Sequence, residues 1–321
     1  MGIEQNWQPS ASLEVIRQRA DLLISIRDFM RERSILEVET PVLSHTAVTD
    51  PHIHSLSTVH QSQDKSHHET LYLHASPEFC MKRLLAAGSG PIYQVTRVFR
   101  DQESGSRHQP EFTMLEWYRP GFDYVELMDE IDDLLQGLGL DVSQRQSYRD
   151  AFWQETHLDP HTAGIDTLQT LAVQSGWKTG SSDRAELLDF VFSMKVVPQL
   201  GIDSPLFIYD YPECQAALAT IKECKPPIAE RFELFISGME IANGFNELCN
   251  AGEQRSRFER DLDLRAQTGK PAVAVDERFI TALVHGLPTC AGVAVGLDRL
   301  LMVLTGSTKI DDVLTFPSNR N

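Results

Sequence analysis

Three groups of residues have the types and spacing to do chemistry. Arg100, Arg107 and His108 fall within one stretch, RVFRDQESGSRHQPEFTMLEWY (residues 97–118), and all three can face phosphate. Phe112 follows them, where an aromatic ring can stack on a planar base. Glu233, Glu240 and Glu247 lie among Phe, Ile and Leu in AERFELFISGMEIANGFNEL, residues 229–248. Burying acids there is costly unless they meet cations. Either they point to solvent from a strand pair or they line a site for a positive ligand. Arg299 lies in the first turn of a helix expected from Asp298, where a phosphate would also meet the helix N-terminus.

The elements that position these groups follow from periodicity. Residues 94–99 mix β-branched and aromatic side chains and predict a strand; 112–118 alternate and predict another. Between them, 101–109 is a polar loop containing Gly105. A loop of that length exceeds the roughly two to five residues of an ordinary hairpin, and long loops in compact domains are often functional; the bland alternative is a solvated hairpin. Upstream, residues 10–33 predict an amphipathic helix capped by Ser12, with Ile16, Ala20, Leu23, Ile26 or Arg27, and Met30 near helical spacing. ILEVETPVL, residues 35–43, predicts an edge strand broken by Pro41. Residues 71–75 predict a strand leading to a helix capped by Ser76, with Pro77 at its first position and Gly88 at its end. Glu78 then complements the helix dipole. Residues 123–139 predict a helix with Leu127, Ile131, Leu134 and Leu135 on one face, 140–204 several helices, and 205–212 a strand. Residues 293–297 predict a strand feeding the helix of Arg299, and Gly296 allows close backbone approach.

Composition narrows the classes. The 321 residues are 41% hydrophobic, enough for a sizeable core, and carry a net charge of −17. That charge argues against a broad nucleic-acid surface. No window reaches the roughly 18 apolar residues of a membrane span, and the N-terminal segment has no signal-peptide pattern. The five cysteines are scattered, which predicts reduced thiols in a cytoplasmic protein. Seven of the eleven histidines lie between His45 and His74, including His67 and His68, but a metal site there lacks further ligands; residues 61–70 predict a polar loop.

The pattern FR…RHQPEFTMLEWY resembles the second signature of class II aminoacyl-tRNA synthetases in its lysyl-type form. Residues 10–43 resemble the first signature, which implies a homodimer. ASPEFCMKRL resembles the lysyl-type substrate loop, ERFELFISGMEIANGFNEL the acidic pocket, and GVAVGLDR the third signature. The resemblance covers roughly residues 12–317. It implies an α+β fold: a class II synthetase-type antiparallel β-sheet flanked by helices. One catalytic domain is expected over 1–321, with 140–204 as a helical insertion and no anticodon-binding domain. It further implies ATP and Mg²⁺. Arg100, Arg299 and Glu240 become catalytic, and Glu233 and Glu240 hold the metal. Arg100, Gln102, Arg107, His108, Gln109, Phe112, Glu240, Ile241, Gly296 and Arg299 contact the nucleotide. Ser76, Pro77, Glu78, Glu116, Tyr118, Asn243, Phe245, Glu247 and Ala294 bind the amino acid. So acidic a pocket suits a substrate with two amino groups, each needing a partner when desolvated.

Where lysyl-tRNA synthetases have Gly, this chain has Ala294. That methyl, the short N-terminal part and the negative charge resemble the stand-alone paralogues that attach (R)-β-lysine to a lysine of elongation factor P, with tRNA disfavoured as acceptor. The alternatives are a small lysyl-type enzyme charging tRNA or another carrier, and a non-catalytic, ligand-sensing paralogue. Three positions depart from the family pattern. Gln102 stands for Glu, Gln109 for Asn and Asn250 for Asp, so shifted ATP contacts are expected.

Overall fold

A computed structural model describes residues 7–63, 68–178, 180 and 182–320. The chain forms two compact units: 1–120, 249–288 and 295–321 make the first, 121–248 and 289–294 the second.

In the first unit, α1 (Leu13–Glu32) starts where Ser12 Oγ accepts from Val15 N–H at 3.2 Å. It buries Leu22, Ile26 and Met30, a ladder four residues apart. Ile26 and Met30 of the expected face are buried, but Ala20 is exposed, Ile16 and Leu23 are half-buried, and Leu22 takes the inward place. Pro41 interrupts the next segment, leaving two short strands, β1 (Leu36–Glu37) and β2 (Leu43–Ser44). Then β3 (Ser57–Gln61) and β4 (His68–Leu73) pair antiparallel, with β2 on the other side of β4. The loop expected over 61–70 is thus mostly strand where it is described; residues 64–67, with His67, lie outside the described residues. α2 (Glu78–Ala86) follows. β5 (Ile92–Phe99) and β6 (Glu111–Pro120) form the expected antiparallel hairpin, in the register Gln94↔Glu116 and Val98↔Phe112, with β1 parallel to β5.

The second unit begins with α3 (Tyr124–Gly137), entered through a capping box between Asp123 and Glu126. It buries Leu127, Ile131, Leu134 and Leu135, the face its sequence prescribes. β7 (Gln144–Ser147), α4 (Tyr148–Thr156), α5 (Ile165–Gln174) and α6 (Arg184–Val191) follow. α6 runs into a π-helical turn, Phe192–Val196. The sheet continues with β8 (Leu206–Pro212), β9 (Ile221–Lys222), β10 (Ile228–Ile236) and β11 (Met239–Asn246). β8, β10 and β11 are antiparallel, and β7 is parallel to β8. The core here is aromatic: Tyr148 stacks on Phe192 at 4.4 Å and meets Tyr211 at 4.7 Å.

The chain then returns to the first unit with α7 (Ala251–Gln267) and α8 (Glu277–Gly286). Asn250 caps α7 through its Oδ1, so Asn serves where Asp would, the two being equivalent caps. Phe79 of α2 stacks on Phe279 of α8 at 4.6 Å. β12 (Cys290–Gly296) neighbours β11 in the second unit. It leads into α9 (Leu297–Thr305) of the first. Antiparallel pairing predominates and helices flank it, as expected of an α+β chain. Among the described residues no helix is long and apolar enough to cross a membrane.

Candidate active site

In the first unit, one carboxylate of the expected amino-acid set is buried. Glu116, on β6, is 2% exposed. Its Oε1 accepts from Ser76 Oγ at 2.6 Å and its Oε2 from Tyr118 OH at 3.0 Å. Burial, with the nearby Glu78 carboxylate, pushes its pKa up to about 7, against the pull of the two hydroxyls and Arg100. Ser76 does not cap α2 as expected. The N-cap is Pro77, and the Ser76 hydroxyl accepts instead from Glu78 N–H at 3.0 Å while donating to Glu116. Glu78 is in turn gripped by Lys82, one helical turn on, at 2.5 Å. Lys82 is wholly buried, its ammonium 5.8 Å from the Phe279 ring centre. The i,i+4 spacing of Glu78 and Lys82 was the sequence signal for this partner.

The loop between β5 and β6 carries the phosphate-facing candidates. Arg100 Nε is buried without a hydrogen-bond partner, and its guanidinium lies 5.2 Å from the Phe112 ring centre. An orphaned buried donor on a cation fits an anionic ligand. Gln102 is exposed and holds a left-handed backbone, φ 65°, supported by Asp101 Oδ1. Gly105 and His108 bridge the tip. Arg299, at the third residue of α9, donates from Nε to Arg107 O at 3.3 Å, which brings the two cationic side chains' segments together. Its neighbour Asp298 is structural. It accepts from Thr113 N–H at 2.7 Å and pairs with Arg19. Gln109, expected at the nucleotide, commits its amide elsewhere: Nε2 donates to Asp311 at 2.7 Å and Oε1 accepts from Ser318 Oγ at 2.6 Å.

In the second unit, Glu233 pairs across the sheet with Asn243, and Arg231 with Phe245. Arg231, absent from the expected set, organises this group. Its guanidinium donates to Glu233 Oε1 at 2.6 Å, Asn243 Oδ1 at 3.1 Å and Gln215 O at 2.8 Å. It also lies 4.7 Å from the ring centre of Tyr211. Burial raises the Glu233 pKa and Glu240 adds to it, against Arg231. Two carboxylates that feel each other in a buried setting are the oxygen donors a hard divalent ion takes, so the pair fits Mg²⁺. Among the described residues no group of three or more His, Cys, Asp and Glu could hold a metal. In the first unit, His45 and His60 instead approach Glu69, at 3.3 and 3.1 Å.

Glu247 is buried at the end of this region, its N–H donating to Cys290 O at 2.9 Å. Ile241 is buried, and Phe245 is packed against the aromatic core. Ala294 and Gly296 lie half-buried on β12. Gly244, between Asn243 and Phe245, is required by space: a Cβ there would sit 2.5 Å from the Phe232 ring and 2.8 Å from Gly292 O.

Residues 6–320 match the family of tRNA synthetases class II (D, K and N). The chain is 50% identical over 319 residues to an elongation factor P–(R)-beta-lysine ligase of Pseudoalteromonas translucida, covering 98% of each chain. Relatives of the same name from Hamiltonella defensa and Vibrio vulnificus are each 46% identical over 319 residues. The match covers 98% of this chain against both, and 98% and 99% of theirs. The chain belongs to the class II tRNA synthetase family of the D, K and N type, and within it to the group of the elongation factor P–(R)-beta-lysine ligases.

Proposed function

We propose that this protein activates a lysine-type amino acid, (R)-β-lysine foremost, with ATP and transfers it to a lysine side chain of elongation factor P. The observation that carries the reading is Glu116: a buried carboxylate held by two hydroxyls, with Glu78 beside it, is built to meet an ammonium. The full-length relatives' names supply the isomer and the acceptor.

In the first step a carboxylate oxygen of the amino acid attacks the α-phosphorus of ATP, and pyrophosphate leaves. Arg100 binds the carboxylate and α-phosphate, Phe112 stacks on adenine, and Arg107, His108 and Arg299 neutralise the outer phosphates. Gln102, Ile241 and Gly296 border the nucleotide. Glu233 and Glu240 would hold Mg²⁺, which supplies charge neutralisation when bound. Ser76, Pro77, Glu78, Glu116, Tyr118, Asn243, Phe245, Glu247 and Ala294 bind the diamine. In the second step the acceptor amine attacks the acyl carbon, an amide forms and AMP leaves. Positioning and electrostatics do most of this work.

Charge favours a protein acceptor over tRNA. The second unit holds 22 acidic and 8 basic side chains, −14 of the chain's −17. Such a field draws a lysine-bearing segment and repels a polyanion. The whole chain acts as one catalytic domain with 140–204 as its insertion, in the cytoplasm, where the five free thiols suit a reducing medium. Leu13, Ile24, Leu36, Leu43 and Val59, exposed near the N-terminus, would be covered in a homodimer.

The test is ATP–pyrophosphate exchange with L-lysine and with (R)- and (S)-β-lysine, followed by mass analysis of added elongation factor P and tRNA. Strongest exchange with (R)-β-lysine and a mass gain on the factor alone support the reading. Exchange with L-lysine and tRNA charging, or no exchange, refute it.

A further inference from the structure

The loop 101–109 is too long to be held by its own hairpin. At its base Arg100 N–H donates to Pro110 O at 2.9 Å, and at its tip Gly105 and His108 exchange backbone hydrogen bonds. The return arm, which carries Arg107 and His108, is fixed from outside by the segment 310–318. Ile310 N–H donates to Ser106 O at 2.8 Å. Gln109, 6% exposed, uses both ends of its amide: Nε2 donates to Asp311 Oδ1, and Oε1 accepts from Ser318 N–H at 3.2 Å and Ser318 Oγ at 2.6 Å. A clamp needs one immobile side, and this segment has it. Ile310, Val313 and Leu314 are buried, and Ser10 and Ala11 donate backbone hydrogen bonds to Thr315 O and Leu314 O. Gln109 also has the reach: the Asn expected here from the family pattern is a methylene shorter.

We propose that residues 310–318 clamp the nucleotide-facing loop, with Gln109 as the positioning residue that joins the two. The inference rests on the nucleotide role proposed above for Arg107 and His108. Its geometry can be tested without that role. The clamp fixes the arm before ATP arrives, so the ordering cost is not charged against ATP binding.

The experiment compares wild type with Gln109→Met, which keeps the length and removes the hydrogen bonds, and with Asp311→Ala and Asp311→Asn. Amide hydrogen exchange of 101–109 and the KM values for ATP and the amino acid are measured on the full chain. Losing these three hydrogen bonds in Gln109→Met should speed exchange of the loop and raise the KM for ATP by about tenfold each. The amino-acid KM should stay within about twofold, below one hydrogen bond's effect. Asp311→Ala should follow, while Asp311→Asn, which keeps the Oδ1 acceptor, should behave as wild type. Unchanged loop exchange in Gln109→Met overturns the clamp. So does an equal rise in both KM values, the mark of general loosening. A wild type without pyrophosphate exchange sinks the functional reading instead, and hydrogen exchange still decides the clamp.

Discussion

Two carboxylates, one in each unit, are raised by the same cause and stabilised by different means. Glu116 accepts from two hydroxyls, Ser76 and Tyr118. Glu233 accepts from a guanidinium, Arg231, itself stacked on Tyr211. Burial pushes both upward. Hydroxyls solvate a carboxylate without cancelling its charge, and Glu116 holds its proton up to a pKa of about 7. A guanidinium cancels most of it, which ties Glu233 to Arg231 and through it to Asn243 and Gln215 O. The difference separates a carboxylate solvated by neutral groups from one held by a fixed charge.

The largest effect should come from breaking the scaffold pair. Arg231→Met strands the Glu233 charge and should cost about 3–5 kcal/mol of stability, read from urea unfolding. A loss below about 1 kcal/mol, the scale of an exposed pair, would erase the contrast.

Next is the pH dependence of Glu116. Its folded pKa of about 7 lies above the ordinary 4.5, so between these values the folded state keeps a proton that the unfolded state releases. Stability therefore falls as pH rises through that window, by about 3 kcal/mol in full. Glu116→Gln should remove this component from the unfolding free energy measured across pH 4.5 to 7. The groups facing Glu116 are Glu78, Ser76, Tyr118 and Arg100. An unchanged slope in the variant would assign the dependence to another group.

The same variant sharpens the substrate side. Glu116→Gln should raise the amino-acid KM by about 30-fold, the value of about 2 kcal/mol for a charge-assisted contact, with the KM for ATP little changed. Pyrophosphate-exchange kinetics measure both, and equal rises would argue for a scaffold role. The smallest effect is Ser76→Ala. It removes one of two donors and should raise the amino-acid KM about fivefold, the equivalent of about 1 kcal/mol; a drop would reverse the assigned sign.

How much of this was legible follows from the signals. The β5–β6 hairpin and the inward face of α3 were readable because each keeps one period along its length. On α1, Ile26 and Met30 were readable, but Leu22 was not, because Leu22 and Leu23 are adjacent and only packing chooses between them. The β3–β4 pair was hidden by its polar composition, since all of β3 is exposed. Arg231 was harder to read because acids among apolar residues are the stronger local signal. Yet it stands two residues before Glu233 on one strand, and that period puts both on one face. Nothing local signals the π-helical turn at Phe192–Val196, whose place is fixed by stacking on Tyr148. Gln109 read as a nucleotide contact because its partners, Asp311 and Ser318, lie about 200 positions away in the chain.

Gly244 limits how this region can change by mutation. With the Phe232 ring and Gly292 O where its side chain would begin, every replacement at that position has to displace a ring or a backbone carbonyl. Ala294, half-buried on β12, already carries a methyl. In the same unit, then, one position is closed to any side chain while another holds one. Selection, in nature or in a library, would keep glycine at 244.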